Sequence, residues 1–378
     1  MKALYLVFHG FAPYNGISKK IGYQVEALKA CGVETVLCYL SIDDGGYHKR
    51  MIDGRVLENY GKGTIAKIRK RVCYAGLERY IEDNNIDLLY IRSYHNANPF
   101  LIRFLKKSGA SGTRVVMEIP TFPYDGEYGS SSFTDKMKLL IDKVFRKKLA
   151  SYIYRMVTYS GYENIFGVRT IRISNGINFD MIKVKDGQRN DMYELNMLGV
   201  AELHFWHGYD RIVAGMAEYY KTERQVKVFF RIVGYGDRNE ISRIKNICSE
   251  NSIEKYVCFA GPEYGADLDN SFEQADIGIA SLGRHRSGIS RMKSLKNMEY
   301  AARGIPFVYS ENDDNFDDKP YVLKVPADDT PVDIGRIVDF YFGKTFDPAE
   351  IRSSVYPELS WKTQMQKVLD EISPLEKY

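Results

Sequence analysis

The chain has 378 residues, of which 44% are hydrophobic and 27% are charged, with a formal net charge of +4. This length exceeds what one hydrophobic core usually organises, so it predicts two domains. No apolar run approaches the roughly 20 residues that span a bilayer, and the start is too short for a signal peptide, so residues 1–8 are predicted to form a buried strand. The mild charge and the lack of a recognition module do not indicate a nucleic-acid partner. The five cysteines show neither metal-ligand nor disulfide spacing, which is typical of a cytosolic protein with reduced thiols.

Short apolar runs alternate with helical patterns in the first half of the chain, which is typical of βαβ units and parallel sheets. A helix is predicted over about residues 18–31, with Ser18 as its N-cap. Residues 180–190 are polar and lack apolar periodicity, so we interpret them as a linker. The predicted strands of this half are 3–9, 33–40, 86–92, 113–119, 155–159 and 170–174.

The second half repeats the alternation and ends in one amphipathic helix from Ser360 to Ile372. The fold class that follows is α/β, with two Rossmann-like domains facing each other across a cleft and ligands at the carboxyl ends of the strands. The predicted strands are 193–201, 227–233, 256–260, 275–280, 305–309 and 321–325. The predicted helices are 209–221, 237–251, 265–274 and 291–303.

The segment 284–306 combines a basic loop with the start of a helix. Four Arg or Lys residues and one His lie between positions 284 and 293, and the helix is predicted to stop at Gly304 before Pro306. Backbone N–H groups and the helix dipole at such a junction favour an anion, most simply a phosphate. A solvated basic surface, with Lys296 and Glu299 as an i,i+3 ion pair, explains the same pattern, and both interpretations stay open.

Two further basic clusters lie in the first half of the chain. The second of them, over residues 136–149, alternates cations with apolar residues as a basic amphipathic helix does. Such a helix can bind an anionic membrane surface, and it can equally be a surface helix whose apolar stripe faces the core. The cations are Lys62, Lys67, Arg69, Lys70 and Arg71 in one cluster and Lys136, Lys138, Lys143, Arg146, Lys147 and Lys148 in the other.

Six segments occur in an order that a known family shares. They are Ile173–Ile177, Gly199–Leu203 with Trp206–Arg211, Phe230–Gly236, Val257–Gly261, Leu295–Pro306 and Ser360–Trp361. Together they resemble retaining glycosyltransferases of the GT-B fold, in particular glycosyltransferase family 4. In the first half the resemblance rests on Asn15–Ser18 and on Glu118–Glu127, which is similar to a loop in a subgroup associated with bacterial surface polysaccharides.

The resemblance implies an organisation and an activity. Residues 1–180 would bind the acceptor, residues 181–358 the nucleotide-sugar donor, and the helix within 359–378 would cross back to the first domain. The activity would be a retaining, metal-independent hexosyl transfer from a nucleotide diphosphate-sugar to a glycan or polyprenyl-diphosphate-linked acceptor, as in capsule synthesis. No cofactor is expected. The location would be cytoplasmic, with an anionic membrane surface as a partner if the basic clusters bind lipid.

The expected phosphate site departs from the family pattern. Relatives place an Arg/Lys pair in the first donor-domain loop, and the matching positions here are Glu202 and His207. Glu299 matches the family glutamate that holds the nucleotide ribose, but Arg291 replaces the first acid of the E-x7-E pattern. We therefore expect the cations at 284–296 to neutralise the phosphates. The predicted donor-binding residues are Gly16, Ile17, Gly234, Gly236, Arg284, Arg291 and Glu299, and the predicted catalytic residues are Glu118, Arg286, Lys296 and His207.

The acceptor side is less defined. Glu118 stands at the end of a strand, near where many relatives place a cleft histidine, and it would contact the sugar or be a structural carboxylate. Aromatic rings stack on sugars and carboxylates accept hydroxyl hydrogen bonds, so the predicted acceptor-binding residues are Thr121, Tyr124, Asp125 and Glu127. Turn chemistry explains part of this loop equally well. His95 is interpreted as a structural histidine, and no residue cluster has metal-ligand spacing.

A second class of function stays open. The replacements at positions 202, 207 and 291 also suit a non-catalytic GT-B pseudo-glycosyltransferase that acts as a binding partner. Turnover of a nucleotide-sugar separates the two hypotheses.

Overall fold

The computed structural model describes residues 1–11, 16–125, 133–187 and 191–372. The chain divides into two compact units. The first contains Met1–Ser174 together with the chain from Trp361 onward, and the second contains Asn175–Ser360. Each unit has a sheet and a hydrophobic core of its own. No helix in the described ranges is both long enough and apolar enough to cross a membrane.

The sheet of the first unit has nine strands among the described residues, in the order β4-β3-β2-β1-β5-β6-β7-β9-β8. The pairs β2/β3, β3/β4 and β8/β9 are antiparallel, and all other neighbours are parallel. The strands are β1 (Lys2–Gly10), β2 (Glu34–Ile42), β3 (His48–Ile52), β4 (Arg55–Gly61), β5 (Leu88–Arg92), β6 (Arg114–Ile119), β7 (Arg155–Thr158), β8 (Asn164–Ile165) and β9 (Val168–Arg172).

Helices cover both faces of this sheet. The helices of the first unit are α1 (Gly16–Ala30), α2 (Gly63–Val72), α3 (Ala75–Asp83), α4 (Pro99–Ala110) and α5 (Phe133–Ala150) before the second unit begins. Because side chains alternate along a strand, Leu4 and Leu6 of β1 pack on the side of α3, α4 and α5. Tyr5 and Val7 point to the opposite face, which α1 and the last helix of the chain cover.

The sheet of the second unit is parallel throughout, in the order β12-β11-β10-β13-β14-β15. Its strands are β10 (Glu194–Val200), β11 (Lys227–Val233), β12 (Val257–Gly261), β13 (Ile277–Ile279), β14 (Phe307–Tyr309) and β15 (Val322–Lys324). Its helices are α6 (Tyr209–Tyr219), α7 (Arg238–Glu250), α8 (Ala266–Gln274), α9 (Leu295–Arg303), α10 (Ile334–Phe342) and α11 (Pro348–Ser353), after which α12 (Trp361–Ile372) returns to the first unit.

This strand order fixes where a ligand can bind. Numbered within the unit, the strands run 3-2-1-4-5-6, which is the Rossmann order, and the direction of strand addition reverses between β10 and β13. In open α/β sheets the ligand crevice lies outside the carboxyl ends of the strands at this reversal. The loops after β10 and β13 therefore form the first place to look for a site.

Two glycines allow aromatic rings to lock these central strands together. A Cβ on Gly199 of β10 would lie 2.7 Å from the ring of Tyr209, and one on Gly278 of β13 would lie 2.5 Å from the ring of Tyr300. The Tyr300 hydroxyl lies 2.9 Å from the carbonyl oxygen of Leu198 and 3.1 Å from that of Ile279. Tyr300 thus ties β10 to β13 directly beneath the crevice.

The predicted α/β class with two parallel-sheet domains is confirmed, since both sheets have a parallel centre. Three details of the prediction were wrong. The antiparallel strands β3, β4 and β8 were not predicted, and Ser18 lies inside α1, which begins at Gly16, rather than at its N-cap. Helix α9 begins at Leu295 rather than at 291. The later start follows from Ser294, whose side chain caps the helix by accepting a hydrogen bond from the Lys296 N–H at 3.3 Å.

Candidate active site

The loops that follow β10 and β13 are joined into one surface. The N–H of Leu282 donates to the His207 carbonyl at 2.9 Å, and the N–H of Gly283 donates to the Trp206 carbonyl at 3.2 Å. A Cβ on Gly208 would lie 2.8 Å from the Gly283 nitrogen, and Gly208 has a left-handed φ of 67°. Only glycine meets both conditions, so the sequence itself enforces the contact between the loops.

Two cations that form no salt bridge with a described residue meet at this surface. Lys296 lies in the first turn of α9, and burial, together with the charge of Arg284, lowers the pKa of its amine to about 7. Burial also lowers the pKa of Arg284, whose guanidinium lies 5.5 Å from the centre of the Trp206 ring. Neither side chain forms a salt bridge with any residue that the structure describes. Two partly buried cations left in mutual repulsion favour a bound anion.

A buried acid accompanies the two cations. Glu311 follows β14, is 2% exposed, and finds no hydrogen-bond partner for either carboxylate oxygen among the described residues. Burial raises the pKa of Glu311 to about 7, against the opposing charges of Arg284 and Lys296. The buried hydroxyl of Ser281 also has no hydrogen-bond partner among the described residues. Buried polar atoms are almost always hydrogen-bonded, so a ligand with hydroxyl groups is the simplest partner for them.

His207 is a neutral group beside the two cations. The His204 N–H donates to its Nδ1 at 3.0 Å, so the neutral ring carries its proton on Nε2. Burial, then the charges of Lys296 and Arg284, lower the pKa of His207 to about 2. The ring therefore offers an N–H donor and no charge. Glu202, the other departure from the family pattern, is exposed and lies 3.5 Å from His204.

The remaining predicted cations are already neutralised. Arg286 donates from both terminal nitrogens to Asp210 at 2.9 Å and from Nε to Asp329 at 2.6 Å. Hydrogen bonding to Asp210, although burial opposes it, raises the pKa of Arg286. Arg291 is exposed and pairs with Asp314 at 3.1 Å. The structure thus brings Arg284 and Lys296 together with His207, and it holds Arg286 and Arg291 in ion pairs.

The two glycines predicted to bind the donor have a packing role. A Cβ on Gly234 would lie 1.8 Å from the Ala201 carbonyl oxygen, and one on Gly236 would lie 2.1 Å from that of Leu203. They allow the loop after β11 to pack against the loop after β10, which shapes the crevice.

Glu299 lies on α9 and is partly exposed. Its carboxylate pairs with Arg303, one turn further along the helix, at 3.2 Å.

In the first unit, Glu118 is enclosed in a polar network. Its carboxylate accepts hydrogen bonds from Gln24 at 2.6 Å and from the Tyr90 hydroxyl at 2.8 Å, and it forms an ion pair with Arg92. Burial raises its pKa, but the charges of Arg92 and Lys20 outweigh burial and lower it overall. Glu118 has no exposed surface, so the structure offers no direct contact between it and a sugar.

The predicted acceptor residues differ in exposure. Tyr124 is buried, stacks on His95 with ring centres 3.7 Å apart, and donates to Asp142 at 2.6 Å. Thr121 is exposed, and Glu127 lies outside the described residues.

Three other predicted positions are exposed or partly neutralised. Asp125 pairs with Arg146 at 2.7 Å and with Lys143 at 3.3 Å. Gly16 and Ile17 are exposed at the start of α1. No cluster of three or more His, Cys, Asp or Glu side chains in the described ranges is placed to hold a metal ion.

Glu311 and Ser281 were missed by the sequence analysis. Both follow predicted strands at their carboxyl ends, where a ligand binds in a Rossmann order. That position is the signal that could have identified them, although nothing in the sequence shows that their polar atoms lack partners.

No family model matches the chain, and no curated protein matches it. Solved structures do match over nearly its full length. Anabaena HepE in complex with UDP aligns with a TM-score of 0.64 and 13% identity, covering 99% of this chain and 100% of that one. A glycosyltransferase from Rickettsia africae aligns with a TM-score of 0.62 and 12% identity, covering 98% and 97%. A proposed UDP-N-acetylglucosamine 2-epimerase from Listeria monocytogenes aligns with a TM-score of 0.53 and 10% identity, covering 98% and 95%.

These similarities identify the architecture as GT-B, the two-domain α/β fold that the sequence resemblance implied. At identities of 10–15% they establish the fold and leave the activity to be argued from the site. The proposed epimerase among the matches illustrates why, because proteins of one fold can catalyse different reactions.

Proposed function

We propose that the chain is a glycosyltransferase that binds a nucleotide diphosphate-sugar in the crevice of its second unit. The observation that carries the proposal is the convergence of Arg284 and Lys296, which form no salt bridge with a described residue, beside the reversal point of a Rossmann sheet. A diphosphate supplies the missing negative charge. The similarity to structures that hold UDP and UDP-glucose supports the same class of ligand.

The chemistry follows from the charge that develops as the sugar leaves. Negative charge grows on the departing diphosphate, and fixed cations in a partly buried crevice stabilise it more than water does. Arg284 and Lys296 supply those cations, and the Nε2–H of His207 supplies a neutral donor. A bound diphosphate raises the pKa of Lys296 again, because an adjacent negative charge favours the protonated amine.

The orphaned oxygens of Glu311 suit the sugar rather than the diphosphate. A carboxylate accepts hydrogen bonds from hydroxyl groups and repels phosphate, so we place the sugar hydroxyls against Glu311. Glu311 would then select and orient the sugar, while the cations hold the leaving group.

The finer parts of the proposal rest on the sequence resemblance. They are retention of configuration, independence of metal and cofactor, and a glycan or polyprenyl-diphosphate-linked acceptor in bacterial surface polysaccharide synthesis. They also include a cytoplasmic location at the inner face of the membrane, which the basic helices of the first unit support. Glu299, Gly16 and Ile17 stay predictions for the transfer site, as do Thr121, Tyr124, Asp125 and Glu127 for the acceptor. The ion pairs of Arg286 and Arg291 and the complete burial of Glu118 favour a structural role for these three predicted residues.

Thermal-shift screening against UDP, GDP, ADP and dTDP sugars tests the proposal first, since a ligand that binds the folded state raises the unfolding midpoint. The stabilising sugar nucleotide then enters a turnover assay in which NMR reads the anomeric configuration of the product. Release of the nucleoside diphosphate with transfer of the sugar supports a transferase. Conversion of the sugar without transfer indicates an epimerase-like enzyme, and stabilisation without turnover favours the non-catalytic partner.

A further inference from the structure

Helix α5 has two opposite apolar faces. Leu139 and Leu149 face inward and belong to the core of the first unit. The outward side carries Met137, Leu140, Ile141 and Val144, which are 43%, 56%, 45% and 65% exposed. These four residues are spaced i, i+3, i+4 and i+7, so they form one continuous stripe along the solvent side of the helix.

The structure shows the core-facing stripe that one of the two interpretations expected, formed by Leu139 and Leu149. That stripe does not account for all the apolar residues of α5, because the four residues of the outward stripe do not face the core. A contiguous apolar surface of this kind on a folded protein marks an interaction site.

Cations border the stripe. Lys136, Lys147 and Lys148 are exposed and form no ion pair with any residue that the structure describes. The acids of the helix do not balance them, because Asp142 is buried and accepts a hydrogen bond from Tyr124, and Asp135 pairs with Lys138 at 2.5 Å. The outward side of α5 is therefore apolar in the middle and positive at its margin.

Helix α2 repeats the pattern on the same side of the sheet. Its Ile65 and Ile68 are exposed beside Arg69, while Ala66 packs against Leu40 of β2. Leu40 lies two residues after Cys38, which faces α3, α4 and α5, and residues two apart in a strand point to the same face. Both exposed stripes thus belong to helices that cover one face of the first unit.

We propose that α5 binds the surface of an anionic lipid bilayer, with α2 as a second contact. Its apolar stripe would enter the boundary between head groups and acyl chains, and the bordering lysines would contact lipid phosphates. The charge pattern selects this occupant, because an apolar centre with a positive margin complements an anionic membrane. The inference rests on the membrane placement in the proposed function and names the surface that achieves it.

Vesicle co-sedimentation of the full chain tests this surface, with phosphatidylcholine vesicles compared against vesicles that also contain phosphatidylglycerol. Removing three border charges by Lys136→Gln, Lys147→Gln and Lys148→Gln should weaken binding on the order of 100-fold, from about 1 kcal/mol per cation. The matched control changes three exposed lysines of the second unit, Lys227→Gln, Lys245→Gln and Lys255→Gln. It alters the net charge equally and should weaken binding to anionic vesicles far less.

The apolar stripe is tested by Leu140→Gln with Val144→Gln, which keeps good helix formers at exposed positions. Loss of two inserted side chains should weaken binding to anionic vesicles at least about tenfold. Met181→Gln with Met192→Gln, two exposed residues of the second unit, is the control and should leave binding unchanged. Unfolding midpoints verify that each variant is folded.

Several results would overturn the inference. They are equal binding to neutral and anionic vesicles, no binding to either, or insensitivity to the α5 substitutions. Self-association in sedimentation velocity that disappears with Leu140→Gln and Val144→Gln, without vesicle binding, would make the stripe an interface between copies of the chain. Calorimetric titration with UDP on the same samples separates the two proposals. Normal nucleotide binding without vesicle binding removes only the membrane surface, and the reverse result removes only the nucleotide site.

Discussion

Arg286 holds Asp210 with both terminal guanidinium nitrogens, each 2.9 Å from a different carboxylate oxygen. Arg286 lies in the loop after β13 and Asp210 in the first turn of α6, so this pair fastens the two elements that frame the crevice. The same pair explains why neighbouring arginines have different roles. Arg286 is neutralised by protein carboxylates, whereas Arg284, two residues earlier, forms no salt bridge with a described residue.

This relationship predicts that Arg286→Gln acts first on stability. The substitution leaves Asp210 with Arg243 as its remaining cationic partner, and loss of a partly buried bidentate pair costs about 2–3 kcal/mol. The unfolding midpoint should therefore fall by roughly 4–8 °C. Arg284→Gln serves as the matched variant and should change the midpoint much less, because it relieves repulsion with Lys296 while it removes the attraction to Glu311. A larger loss of stability from Arg284→Gln would contradict this division of roles.

The affinity for UDP should fall as pH rises through 7. In the free protein the pKa of Lys296 is about 7, lowered first by burial, so above this pH the amine is neutral and must take up a proton to hold a diphosphate. Glu311, whose pKa burial raises to about 7, becomes negative over the same range and adds repulsion. Deprotonation of Lys296 and ionisation of Glu311 therefore both lower the affinity for UDP as pH rises.

Between pH 7 and 8.5 we expect affinity to drop by roughly tenfold per pH unit. Calorimetry at pH 8 in buffers of different ionisation enthalpy should show net proton uptake on binding. Lys296→Met should bind weakly and lose most of the uptake. An affinity that stays constant from pH 6 to 8.5 would rule out Lys296 as a ligand of the diphosphate.

Glu311→Gln should stabilise the unliganded protein at high pH. A carboxyl whose pKa is raised in the folded state contributes stability that is complete below pH 4.5 and is lost as pH rises through about 7. The amide keeps the shape and does not ionise. The midpoint of Glu311→Gln should therefore equal that of wild type near pH 5 and exceed it by roughly 5 °C at pH 8.

The same variant should lose sugar transfer while keeping UDP affinity below pH 7 and raising it above pH 7, because Glu311 is assigned to the sugar and its ionised form repels phosphate. A useful control is Asp314→Asn, which removes an exposed acid of the same loop that pairs with Arg291. If Glu311→Gln lowers UDP affinity and leaves turnover intact, the assignment of Glu311 to the sugar is wrong.

Much of the fold followed from hydrophobic periodicity, since buried parallel strands appear as continuous apolar runs. The hairpin of β3 and β4 was missed although its turn is Asp53-Gly54, with φ values of 44° and 80° that suit a tight hairpin turn. Phe166 and Gly167 form the corresponding turn between β8 and β9. The Asp-Gly pair is a local sequence signal for a hairpin turn, whereas Phe166 is not a residue type that predicts one.

The site was less predictable, for a physical reason. The sequence places Arg284, Arg286 and Arg291 in one basic run, and only the tertiary contacts of Asp210, Asp329 and Asp314 show which charges are neutralised. Likewise, the apolar residues of α5 have a helical spacing that predicts an amphipathic helix, but the sequence does not show that the helix buries its opposite face. Contacts between residues that are distant in the sequence decide both which arginines are neutralised and which face of α5 is buried.

The central claim is that Arg284 and Lys296 bind the diphosphate of a sugar nucleotide. It is tested most directly by calorimetric titration of UDP into wild type, Lys296→Met, Arg284→Gln and the control Arg291→Gln at pH 7. Charge-assisted hydrogen bonds contribute about 1.5–3 kcal/mol each, so the first two variants should weaken binding roughly 10- to 100-fold. Arg291→Gln, which changes an exposed residue already paired with Asp314, should bind as wild type does. Equal affinity in all four proteins would contradict the account.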